Sequence, residues 1–176
     1  MKKKIILIIL SILLISFVYV IYGNDINEYY FSKHVIYWSK DVSIKVEDFQ
    51  DEIDKNDASS ISWYHGLFLK ANYIHSAKVK AFFDKEKSWI RDTTDFKQQM
   101  KLQKLRFYLY SAYARKFNKH IDQVRDNKET TYSDLEKIGD RIHIELERKE
   151  IEIFNSNLTI DEKVDKWTPI IGEMFK

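Results

Sequence analysis

Leu102-Gln103-Lys104-Leu105-Arg106-Phe107-Tyr108-Leu109-Tyr110-Ser111-Ala112-Tyr113 opens a pattern that no strand can carry. Leu102, Leu105, Leu109, Ala112, Tyr113, Ile121 and Val124 recur at three- and four-residue spacing, which places them on one face of a long helix. A second helix is expected from Ser133-Asp134-Leu135-Glu136, where Ser133 and Glu136 can cap each other's backbone, with a stripe of Leu135, Ile138, Ile142, Leu146 and Ile153. Asn155-Ser156-Asn157 breaks it. Thr159-Ile160-Asp161-Glu162 offers another capping box, leading to Val164, Trp167 and Ile171, with Pro169 kinking or ending that helix.

Upstream the period changes to two. His34–Trp38 is β-branched and aromatic, Val42–Val46 alternates apolar with polar, and Ala77–Phe83 alternates again. Ile61–Tyr64 and Leu67–Leu69 flank His65-Gly66, which reads as a turn between two strands, and Asp51–Ser60 reads as an acidic loop. Strands followed by helices give an α+β fold: a small antiparallel sheet packed against two or three long helices.

The chain begins Met1-Lys2-Lys3-Lys4 and continues with eighteen uncharged residues, Ile5–Tyr22. As a helix this run spans roughly 27 Å, close to the hydrocarbon thickness of a bilayer. It is apolar on every face, and the three lysines hold its start in the cytoplasm, so the remainder should emerge on the far side. Residues 1–23 therefore read as a membrane anchor or signal segment, and residues 24–176 as one exported domain. Tyr19-Val20-Ile21-Tyr22-Gly23 is bulky where a signal peptidase prefers small residues, which favours an uncleaved anchor over a cut after Gly23.

The whole chain of 176 residues carries 29 basic and 27 acidic groups, a net charge of +2. Without Lys2, Lys3 and Lys4 the balance is 26 to 27, or −1, so no basic stripe points to nucleic acid. Cysteine is absent, which excludes disulfides, thiolate metal sites and a cysteine nucleophile. No phosphate-binding glycine loop and no G-x-S-x-G elbow is present.

Several stretches together resemble a bacterial family of predicted secreted zinc-dependent peptidases, a domain family of otherwise unknown function. They are Ile36-Tyr37-Trp38-Ser39, Val46-Glu47-Asp48-Phe49-Gln50, Val79–Phe83, Lys85-Glu86-Lys87-Ser88-Trp89, Tyr113-Ala114-Arg115-Lys116 and the late Trp167. The resemblance covers roughly residues 35–170. It implies an H-E-x-x-H-F motif on the long helix, where two histidines hold Zn²⁺ and the glutamate takes a proton from metal-bound water. At those positions stand Leu102-Gln103-Lys104-Leu105-Arg106-Phe107, and only the phenylalanine is retained. Leu102 has no lone pair, Gln103 is an amide rather than a base, and Arg106 is a permanent cation where a dication would sit.

The resemblance thus implies a degenerate, catalytically inactive member, acting by binding a protein or peptide in the cell envelope, with no cofactor expected. Its cleft residues would be Phe107, Tyr110 and Tyr113, with Gln103 and Arg106 presented to a carboxylate-bearing partner. Two alternatives stand beside it: a metal-dependent hydrolase with other ligands, and a structural envelope protein. The histidines His34, His65, His75, His120 and His143 show no i, i+3 or i, i+4 pair. His143 beside the Ile142 stripe reads as a core or boundary residue, His65 as a turn residue and His75 as a strand-end one.

Overall fold

The computed structural model describes residues 2–71, 73–126 and 129–174, with the side chains of Lys2, Lys3 and Ile6 left aside. Helix α1 (Lys2–His34) is followed by strands β1 (Val35–Tyr37), β2 (Ile61–Ser62), β3 (His65–Lys70), β4 (Lys78–Asp84) and β5 (Trp89–Ile90). Helices α2 (Phe96–Arg125), α3 (Tyr132–Phe154) and α4 (Ile160–Glu173) complete the order. The architecture is the α+β arrangement that the change of period predicts.

Strand β4 is the centre. It pairs antiparallel with β1 on one edge and with β3 on the other, while β2 pairs with β5 in a separate two-stranded sheet. Alternation along β4 gives it two working faces. Val79, Ala81 and Phe83 are buried in the main core with Leu105, Leu109, Ala112 and Phe117 of α2. Fully burying a side chain such as Phe83 is worth about 1.5–3 kcal/mol. On the opposite face Phe82 meets Phe31 of α1 edge-on at 4.8 Å, and Phe31 stacks on Phe68 of β3 at 4.8 Å.

The apolar N-terminal helix therefore does not stop at Tyr22. Its backbone continues unbroken to His34, and the added turns lie along the outer face of the sheet. Asn24 Nδ2 donates to the Ala71 carbonyl at 3.0 Å, and Glu28 receives Lys70 at 2.5 Å and Lys80 at 2.9 Å. Residues 7–22 are exposed along their length, as a helix awaiting lipid would be.

Two strand expectations need correction. Val42–Val46 is loop, running into a 3-10 turn at Val46–Asp48, because the Asp48 carboxylate accepts the Lys45 N–H at 2.9 Å and turns the chain. Ile44 still plugs the core, so its alternation marks one buried side chain rather than a ladder. His65-Gly66 is not a turn but the start of β3, since β2 and β3 pair with different partners and form no hairpin. A Cβ on Gly66 would stand 3.0 Å from the Phe82 ring, so the glycine marks a close approach between strands.

The helices follow their stripes closely. Leu135, Ile138, Ile142, Leu146 and Ile153 are all buried, and Gly139 among them leaves room for the Phe117 ring of α2, 3.3 Å from where its Cβ would be. The α3 cap lies two residues earlier than expected, Thr131 exchanging hydrogen bonds with Asp134. Thr159 and Glu162 form the foreseen box. Pro169 neither starts nor ends α4, which runs on to Glu173.

One residue of α2 completes the sheet. Where β1 falls short of Val79, Asn118 takes the place of a neighbouring strand: its Oδ1 accepts the Val79 N–H and its Nδ2 donates to the Val79 carbonyl, both at 2.8 Å. Asn118→Ala should lower the unfolding free energy by about 1–3 kcal/mol, the cost of two orphaned backbone groups. Asn118→Asp should also destabilise, because a carboxylate would face the Val79 carbonyl. Urea unfolding of the full chain in detergent measures both, and an unchanged midpoint for either would remove the amide from this role.

Candidate functional site

Leu102, Gln103 and Arg106 lie near the start of α2, and their side chains are spent on neighbours. Leu102 is half-buried, and Gln103 is buried with its Oε1 accepting from Arg106 Nη1 at 3.4 Å. Arg106 turns its Nε to Glu150 of α3 at 2.9 Å and lays its guanidinium over the Phe154 ring at 4.3 Å. Phe107 is fully buried and meets Trp38 edge-on at 5.0 Å.

Glu150, half-buried on α3, collects a polar cluster from three elements. The Tyr110 hydroxyl of α2 donates to its Oε2 at 3.0 Å, and His65 Nε2 of β3 stands 3.7 Å from its Oε1. The Trp63 carbonyl can only accept, so His65 Nδ1, 3.1 Å away, donates to it. His65 also packs edge-on against Tyr110 with centroids 4.3 Å apart.

These contacts set the proton affinities. Burial by itself would raise Glu150, but the His65 contact and the Arg106 charge outweigh it and hold the carboxyl below the usual glutamate range. Burial, then the Glu150 charge, pushes the Tyr110 hydroxyl far above its ordinary value, so it remains a donor. Tyr113 is raised in the same direction by burial and by Glu145 and Glu152, and its hydroxyl donates to the Glu145 carbonyl at 3.2 Å.

A carboxylate, an imidazole and a phenol are the parts of acid–base chemistry; here Glu150 Oε2 accepts from Tyr110 and Oε1 faces the Arg106 cation. The cluster ties β3, α2 and α3 together. Among the described residues no group of three or more His, Asp or Glu side chains is placed to share a metal ion. Phe107 and Tyr113 are buried in the core, and Tyr110 packs against it. A concavity of about 310 Å³ lies further toward the start of α2, lined by Ile44, Phe96, Met100 and Lys97, Lys101 and Lys104.

The sequence reads His65 as a turn residue and gives Glu150 no role. A signal for Glu150 existed: the α3 stripe steps from Leu146 to Ile153, and the turn between them carries Lys149 and Glu150 where an apolar residue is due. His65 left no comparable trace, since its partner is 85 positions away.

Because the native carboxyl of Glu150 holds its proton less tightly than the unfolded one, its contribution to stability is full above the ordinary glutamate value of about 4.3. It is lost as the pH falls through that value and below. Glu150→Gln should cost about 1–3 kcal/mol at neutral pH, leaving Arg106 without its counter-charge, and should flatten the acid side of the stability curve. Thermal midpoints of both proteins between pH 7 and pH 3 test this; parallel curves would show that Glu150 does not carry the acid limb. Set against known proteins, the chain matches no protein-family model, no curated protein and no solved structure.

Proposed function

We propose that this chain is a membrane-anchored protein whose folded domain stands on the extracytoplasmic side, related to the predicted secreted zinc-dependent peptidases but without their chemistry, and acting by binding a protein or peptide in the cell envelope. The observation that carries the loss of catalysis is the Arg106–Glu150 pair at 2.9 Å. A guanidinium paired internally fills the place where the family motif would bring its second histidine. The anchor reading is supported by one helix long and apolar enough to span a bilayer, preceded by Lys2, Lys3 and Lys4.

Arg106 is not the hook for a partner that the sequence suggests, because Glu150 already occupies it. Lys97 and Lys104 are the better candidates: both are exposed and flank the apolar floor of Ile44, Phe96 and Met100. A peptide carrying carboxylates beside an apolar side chain suits that combination.

The purified chain should contain no stoichiometric zinc and should cleave no peptide library in a chelator-sensitive way. The combined change Leu102→His, Gln103→Glu and Arg106→His should create zinc binding, because removing Arg106 leaves Glu150 facing the two new imidazoles as a third ligand. Metal analysis decides both arms. Tight zinc with chelator-sensitive cleavage in the native protein would overturn the inactive reading, and no gain of metal in the variant would detach the chain from the peptidase family.

A further inference from the structure

The path of α1 fixes which end of the domain meets the bilayer. Asn24, two residues past the hydrocarbon run, is bonded to Ala71 at the end of β3 at 3.0 Å. Asp25 pairs with Lys70 at 2.5 Å, Glu28 with Lys70 and Lys80, Phe31 with Phe68 and Phe82, and His34 comes within 3.9 Å of Glu86. The sheet thus runs alongside the helix, with the β3–β4 connection nearest the membrane. The Glu86 end lies ten residues, or about 15 Å, further out.

Distances then place one side chain. Tyr73 is two residues from Ala71 and so at most about 7 Å away along the chain. The headgroup layer on each side of the hydrocarbon core is about 5–8 Å thick. Tyr73 is 58% exposed, caps the 3-10 turn Ile74–Ser76, and stacks its ring on His75 at 5.4 Å with 6° between planes. Exposed tyrosine is costly in water for its apolar ring and suited to the headgroup level, where the ring and hydroxyl find different surroundings. Lys78, exposed at the start of β4, adds a cation beside it.

We propose that Tyr73 and the Ile74–Ser76 turn form a second membrane contact, a phospholipid-headgroup site that holds the domain upright beside α1. The inference rests on the anchor reading above and goes beyond it. One span alone leaves the rigid body of helix and domain free to tilt in the bilayer, whereas a span plus a headgroup contact restricts that tilt and directs the concavity at Ile44, Phe96 and Met100 consistently.

Cysteine is absent from the chain, so single replacements Ile12→Cys, Tyr73→Cys, His75→Cys and Glu86→Cys each carry one spin label. The full chain is placed in phosphatidylethanolamine–phosphatidylglycerol vesicles, and collision with oxygen and with a water-soluble nickel chelate reports depth. The expected result is a label at position 12 buried in hydrocarbon, labels at 73 and 75 with nickel accessibility several-fold below that at 86, and position 86 fully aqueous. Labels at 73 and 75 as accessible as at 86, with position 12 still buried, would overturn the headgroup site and leave the anchor standing. A water-exposed label at position 12 would overturn both.

Discussion

Everything in the folded part is arranged around one strand whose every side is occupied. β4 has β3 on one edge and β1 on the other, and the Asn118 amide continues the second edge where β1 ends. Its odd-numbered side chains feed the core shared with α2, and Phe82 receives the aromatic end of α1. A strand with an open edge is a template for wrong pairing, so closing it with a side-chain amide secures the register as well as stability.

That central strand also explains how the apolar N-terminal helix and the folded domain become one body. The turns of α1 beyond Gly23 would be an unsupported helix in water, but Phe31 and the Glu28–Lys70–Lys80 pairs give them a surface. The ion pairs are partly exposed and of modest worth singly. Their use is directional, since they fix which residues of the sheet lie near Asn24 and which near His34.

The polar cluster at Glu150 reads the same way. Partly burying a carboxylate is costly unless its charge is met, and here Tyr110 donates to Oε2 while the Arg106 cation stands 2.9 Å from Oε1. The cost of burial is met by three elements that must all be in place, so the cluster specifies their mutual position.

Periodic, local information was legible in the sequence. The five apolar positions of α3, the Thr159–Glu162 box, the acidic loop Asp51–Ser60 and the alternating face of Val79–Phe83 follow from neighbours within a few residues, and the structure keeps them. The candidate motif positions were also locatable, because their helix was. What Arg106 does was not, since its partner sits on another helix 44 positions along. The same holds for His65 and Gly66, whose surroundings are set by Glu150 and Phe82, and for residues 24–34, whose helix is held by a sheet not yet formed when they are read alone. Spacing along one segment determines which face is apolar, but only tertiary structure decides what that face, and each charge beside it, will meet.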